Sequence, residues 1–418
     1  MKINEEAREE FRYVLEEYIL RLLPVKGSLV FKEPSSSVKS EKHIKYYKSN
    51  NRIHFYPSLT NSPFYFRISS ETAPNTSAVP NTSAAEDILR EILRASQYSY
   101  NSCGVYESNY YEVKINGMPV YKKQRFDLAF EVGLSHWLGG TSVYRLLEKM
   151  HKWSQKTYEG KKMPFSFIID AKDKTKGNSD YIQFLDSPHS AVFTDGMTSG
   201  IALDNSGLIV KYFSASEDQL QHNDNHLTLA PYRFIDFANM CYTDSNGSVW
   251  IGVIAQSNGD ILVFKRRQIV FAKRSGTWFY VDFFRVFSAI SMFLSNPDTE
   301  ENKKLAKLIY LSILDVSFSR VGGCIAIIDD EHLRTVQDNF IVNDDLDRHD
   351  ERDNKKKILT RLITACGDNT NRSFFNISQN LRQDLLSLDG ATLIDRTGKI
   401  LGVGAIVRID GGSDEGGG

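Results

Sequence analysis

Apolar residues change their period several times along the 418-residue chain, and each change marks a predicted element. Over 5–23, Phe11, Val14, Leu15, Tyr18, Ile19 and Leu22 follow the i, i+3, i+4, i+7 spacing of an amphipathic helix, and Pro24 ends it. Residues 33–50, rich in Ser and Lys, read as loop. Residues 69–84, SSETAPNTSAVPNTSA, carry a near repeat with no periodic apolar position, so they bury no core and read as a linker. Helical spacing returns over 86–100 through Ile88, Leu89, Ile92 and Leu93. Alternating segments follow at 110–115, 127–132, 165–170 and 191–194, with a helix expected over 142–156.

From Gly200 to Val281 the pattern is one of short strands. Asn-Gly at 246–247 and 258–259 and Ser-Gly at 275–276 separate apolar runs, which is a hairpin signal. A β-meander over 248–255, 260–264, 268–272 and 278–280 is predicted. Two helices come next. The first carries Phe284, Phe287, Ile290, Ser291 and Leu294 on one side. The second is capped by Asp298 or Thr299 and buries Leu305, Leu308, Ile309, Ser312 and Ile313. They lead into Gly322-Gly323-Cys324-Ile325-Ala326-Ile327-Ile328-Asp329, a continuous apolar run that reads as a strand covered on both faces. A charged stretch at 344–357 and a helix over 355–365 precede a strand, a Thr-Gly turn and a second strand within residues 385–407.

The fold class is therefore α/β in its last part and α+β overall. Four regions are expected: 1–68, a helix and short strands; 69–84, the linker; 85–280, a mixed α+β domain ending in antiparallel sheet; and 281–418, a mixed-sheet α/β domain.

Composition narrows the function classes. The formal net charge of -1 gives no chain-wide basic field for nucleic acid. The densest basic cluster, Lys265-Arg266-Arg267 with Lys273-Arg274, reads as a solvated hairpin face. Cys103, Cys241, Cys324 and Cys366 form no CxxC pair and fit free thiols in a reducing compartment. The acidic, polar start has no signal-peptide core, and no stretch reaches the roughly 18 apolar residues of a membrane span. A cytoplasmic protein is expected.

Candidate chemistry in the middle region is sparse. His136 and His151 lack metal-ligand spacing. His189 with Thr194-Asp195-Gly196 forms a polar loop that could line a pocket but reads first as turn residues, and the His222, Asn223, Asp224, His226 cluster reads as a solvated loop. The informative constellation is later. Asp389 enters a strand and is followed by Gly390 and Ala391. A carboxylate there can hold a divalent cation, and two tiny neighbours leave room for phosphate oxygens beside the backbone. Taken alone, Asp-Gly is also a common turn.

The ordered set of a Gly322-Gly323 strand, about sixty intervening residues and LDGATLIDRTGKILGVGAIV resembles the catalytic domain of diadenylate cyclases, as found in the DNA-integrity-scanning protein family. The resemblance covers residues 281–418, and 260–282 resembles the end of the sensor-type regions that precede some such domains. It implies condensation of two ATP into cyclic di-AMP, each 3′-hydroxyl attacking the other nucleotide's α-phosphate with release of pyrophosphate. It implies a face-to-face homodimer or higher homo-oligomer, and Mg²⁺ or Mn²⁺. Asp389 would be the catalytic, metal-binding residue. Gly390 and Ala391 would lie along ribose and phosphates, and Val407 would pack on adenine. The family's second hallmark, Arg-His-Arg, would begin about where Gly411 to Gly418 stand, so a domain cut short is expected. The alternative is a catalytically inactive ATP-binding or nucleotide-binding sensor module.

Overall fold

The computed structural model describes residues 45–49, 52–56, 66–69, 113–115, 118–120, 131, 134–135, 141–153, 157–158, 161–162, 164–170, 179–186, 194–214, 228–242, 249–281, 283–294, 296, 299–329, 331–332, 363 and 373–405. The helices expected over 5–23 and 86–100 and the linker beyond Ser69 lie outside them. Internal contacts divide the chain into two units, residues 1–228 with 236–282, and residues 229–235 with 283–418.

In the first unit, β1 (Lys45–Ser49), β2 (Arg52–Tyr56) and β3 (Phe66–Ser69) form an antiparallel sheet. The end of the stretch expected to be loop is thus a strand. Tyr46 pairs with Phe55 and Tyr47 with His54, and aromatic residues suit a pleated surface despite the flanking lysines. Two short ribbons follow, β4 (Val113–Ile115) with β5 (Met118–Val120), and β6 (Thr157–Tyr158) with β7 (Lys161–Lys162).

Helix α1 (Thr141–Trp153) lies between those ribbons in sequence. Its Val143, Leu146, Leu147 and Met150 repeat at 3–4 spacing, and all are buried. Each contributes about 1.5–3 kcal/mol on leaving water. They share one core cluster with Phe167, Ile169, Ile201, Leu203, Ile251, Val253 and Val263 of the large sheet. That sheet is built from β8 (Phe165–Asp170), β9 (Ser199–Leu203), β10 (Ile209–Ser214), β11 (Trp250–Ala255), β12 (Ile261–Lys265), β13 (Gln268–Arg274) and β14 (Thr277–Tyr280). Its order is β10-β9-β8-β11-β12-β13-β14.

Only β8 and β9 run parallel, and α2 (Tyr181–Asp186) lies in the crossover that a parallel pair requires. Tyr181 and Leu185 of α2 join the same core cluster. The opposite face is covered by α3 (Ile235–Met240), whose Phe237 meets Phe264 edge-on at 5.5 Å. Cover on both faces explains why β8, β9 and β11 are buried along their whole length. The β11–β14 meander stands where its turn residues predict. Arg266 and Arg267 form the β12–β13 turn at φ 53° and 61°, conformations held by an Arg267 N–H bond to the Cys241 carbonyl at 2.7 Å.

The second unit begins its helices with α4 (Phe283–Met292) and α5 (Glu300–Ser319). Thr299 caps α5, its side chain accepting from the Asn302 N–H at 3.3 Å, and Glu300 and Glu301 occupy the positive first turn. Leu305, Ile309 and Ser312 are buried as the spacing predicts, but Ile313 is exposed and Leu308 only half-buried. The buried stripe runs instead through Tyr310, Leu314, Asp315 and Phe318, with Phe283 edge-on to Tyr310 at 5.0 Å.

Then β15 (Cys324–Ile328), α6 (Gln379–Leu386), β16 (Ala391–Asp395) and β17 (Ile400–Ala405) complete this unit. The three strands form a sheet with β16 central, parallel to β15 and antiparallel to β17. The expectation that β15 is covered on both faces is not met. Cys324 is exposed and residues 325–328 are half-buried, and among the described residues β15 is an edge strand paired only with β16. The chain is an α+β fold with two mixed sheets. No described helix is long and apolar enough to cross a membrane.

Candidate functional site

Helix α6 delivers Asp389. Ser378 caps it by accepting the Leu381 N–H, and Leu381, Leu385 and Leu386 bury one side. The helix closes with Ser387, whose hydroxyl donates to the Gln383 carbonyl at 2.6 Å, and Leu388 is buried. Asp389 then stands exposed, and Gly390 turns at φ +97° into β16.

A Cβ at Gly390 would stand 2.5 Å from the carbonyl carbon of Gly404 and 2.8 Å from the Ala405 oxygen. The space left by the missing side chain is therefore filled by β17, and glycine is needed for the hairpin to close over the start of β16. Gly323 has the same kind of role. A Cβ there would lie 2.5 Å from the Leu386 oxygen, so this glycine lets β15 start against the end of α6. Around Gly322 a Cβ would meet nothing within 4 Å.

Ala391 opens the central strand. It pairs with Cys324 on one side and Ala405 on the other. Ala326, Ile328, Ala391 and Leu401 pack, half-buried, on buried Leu393 and Ala405. This sheet face is thus apolar, and beside Asp389 it is made of small side chains. Val407 lies outside the described residues. Arg396 and Lys399 belong to the turn at the other end of β16, where Arg396 pairs with Asp329 at 2.6 Å and Asp395 accepts from Thr397 and Lys399 N–H groups. Among the described residues, no three His, Cys, Asp or Glu side chains come together as a metal centre.

The first-unit candidates resolve into structural chemistry where they are described. Burial alone would raise the Asp195 carboxyl. Hydrogen bonds from the Thr198 hydroxyl, the Met197 and Thr198 N–H groups and the Ser199 hydroxyl outweigh it and bring Asp195 down to about 2. Thr194 accepts the Ser166 N–H at 2.9 Å. These are the bonds of a closed turn. The basic cluster is partly spent internally: Lys273 donates to Glu131 at 2.5 Å, and Arg274 lies 3.6 Å from Asp260. His136, His189, His222, Asn223, Asp224 and His226 lie outside the described residues.

Two polar groups emerge that the sequence did not single out. Glu131 is buried and accepts from both Lys273 and the Trp278 indole N–H, the latter at 3.0 Å. Asp315, on the buried stripe of α5, accepts from the Tyr232 N–H and from Gln379, each at 2.6 Å. A charged residue in an otherwise apolar helical stripe is the signal that marks Asp315 in the sequence. No protein-family model, curated protein or solved structure matches the chain.

Proposed function

We propose that residues 281–418 form a nucleotide-handling domain of the diadenylate cyclase type, which condenses two ATP into cyclic di-AMP under control of the preceding α+β domain. The observation that carries this reading is the placement of Asp389: an exposed carboxylate two residues before half-buried Ala391, which pairs with Cys324 on one side and with buried Ala405 on the other. A small, half-buried side chain at Ala391 would leave room for part of a ligand, with the Asp389 carboxylate beside its polar end.

The donor set fits a cation brought by the nucleotide. Mg²⁺ is commonly held by one or two carboxylates together with substrate phosphates, so a lone Asp389 is sufficient protein contribution. When bound, Mg²⁺ or Mn²⁺ would offset charge on the phosphates and acidify an attacking hydroxyl. Asp389 would hold the cation and orient the 3′-hydroxyl toward the α-phosphate of the other nucleotide. Ala391 would lie along ribose and phosphates and Val407 would pack on adenine, while Gly390, its vacant side filled by β17, would set the turn that presents Asp389. Reaction between two ATP molecules calls for two copies of the domain face to face.

The test is incubation of the full chain with ATP and Mn²⁺, with product read by mass spectrometry. Cyclic di-AMP that disappears in Asp389→Ala is the expected result. Saturable ATP binding without product would favour a non-catalytic nucleotide-sensing module. Absence of both, in a folded protein, would overturn the nucleotide reading.

A further inference from the structure

Asp315 is 3 % exposed, and its two carboxylate oxygens serve two different elements. Oδ1 accepts the Tyr232 backbone N–H at 2.6 Å, and Oδ2 accepts the Gln379 side-chain amide at 2.6 Å. Tyr232 belongs to the segment Leu229–Ile235, which groups with the second unit although its sequence neighbours on both sides group with the first. Gln379 is the first residue of α6, and the end of α6 runs through Ser387 and Leu388 into Asp389.

The segment is held a second time by the Arg233 guanidinium, which donates to the Phe318 carbonyl. The charged groups acting on Asp315 are Arg382 and Arg233, and Arg382 is itself buried, donating to the Phe374 and Ile377 carbonyls. Burying a carboxylate is costly, and an apolar side chain would suffice for packing alone. What Asp315 supplies is a directional link between the segment and the first turn of α6.

We infer that Asp315 is a positioning residue that couples the segment Leu229–Ile235, through α6, to the loop bearing Asp389, so that displacing the segment loosens the candidate nucleotide site. The coupling stands on geometry. Its regulatory meaning rests on the nucleotide reading proposed above.

Tyr232→Pro removes the one N–H in question. Pro231, at φ -55° and ψ 148°, already has the backbone that a following proline requires, and position 232 opens its 3₁₀ turn. Tyr232→Ala keeps the N–H and is the control. Hydrogen exchange of the full chain, without ligand, is followed by mass spectrometry. Tyr232→Pro and Asp315→Ala should each speed exchange over 379–391 by about tenfold, the scale of a lost charge-assisted bond. Tyr232→Ala should match wild type. Asp315→Asn should restore protection, since its oxygen accepts from Tyr232 and its amide donates to a turned Gln379 side chain. The double variant Tyr232→Pro/Asp315→Ala should exchange no faster than Asp315→Ala alone.

Unchanged exchange over 379–391 in Tyr232→Pro, or rates that multiply in the double variant, would overturn the coupling. If Tyr232→Pro loses protection in β11–β13 and so fails to fold, the Asp315→Ala and Asp315→Asn pair decides the matter alone. An ATP titration separates the two claims. Weaker binding by Tyr232→Pro than by wild type supports regulation, and equal binding overturns it. A wild-type chain that binds no ATP overturns the nucleotide reading and leaves the coupling to the exchange result.

Discussion

The carbonyl carbon of Gly404 stands 2.5 Å from the point where a side chain on Gly390 would begin. The backbone that carries Asp389 is therefore locked against β17, and Gly390 holds φ +97° to fit there. Gly390→Ala adds both a clash and an unfavourable backbone conformation. It should cost about 3 kcal/mol, read as a lower urea midpoint with the slope unchanged. A variant within about 0.5 kcal/mol of wild type, the scale of an ordinary surface change, would mean that the hairpin does not need this contact.

Glu131 anchors the β13–β14 end of the large sheet by taking hydrogen bonds from Lys273 and Trp278. Glu131→Ala removes the acceptor that Lys273 and Trp278 share, and the Lys273 side chain is only 12 % exposed. A loss of about 3 kcal/mol in urea unfolding is expected. Glu131→Leu combined with Lys273→Met should lose less, because no unpaired buried charge remains. Equal losses in the two variants would show that the ion pair is not the cause.

Asp195 gives a pH signature. Its folded-state pKa, about 2, lies below the ordinary 3.8, so its stabilisation is present above pH 4. It is lost as pH falls from about 4 toward 2. After discounting for solvent screening of this half-buried group, the contribution is about 1 kcal/mol. Thermal unfolding of wild type and Asp195→Asn should differ by that amount at pH 6 and converge near pH 2. A constant difference across the range would place the effect in packing and not in ionisation.

The two described thiols should separate in labelling. Cys324 is exposed at the start of β15, whereas Cys241 is buried, donates to the Phe237 carbonyl and has its pKa pushed well up by burial. Iodoacetamide treatment of the native protein, read by peptide mapping, should modify Cys324 at least about a hundredfold faster than Cys241. Comparable rates would mean that α3 opens readily from the sheet.

Much of this architecture was legible from local pattern. The stripe of Val143, Leu146, Leu147 and Met150, the Thr299 cap and the turns at Asn258-Gly259 and Ser275-Gly276 each depend on residues a few positions apart, which is the range that periodicity and turn chemistry report. The hairpin after Asp389 belongs to the same class. What stayed hidden depends on distant partners. The apolar run of β15 does not reveal how many strands will flank it, and so its half-exposure was missed. Ile313 fits the helical period, yet the side of α5 that is buried is set by α4 and α6. Tyr232 meets a carboxylate 83 residues later, so nothing near it in sequence announces the contact. The candidate site divides likewise: Asp389-Gly390-Ala391 was readable as a motif, while the filling of Gly390's vacant side by Gly404 was not.

The central claim is that the exposed Asp389 carboxylate and the half-buried Ala391 beside it hold a nucleotide. The most direct measurement is calorimetric titration of the full chain with ATP and Mg²⁺, for wild type and for Asp389→Ala of unchanged thermal stability. Wild type should bind saturably, and binding should weaken at least about tenfold in the variant, the scale of one lost charge-assisted contact. Binding of equal strength in both proteins, or none by folded wild type, would contradict it.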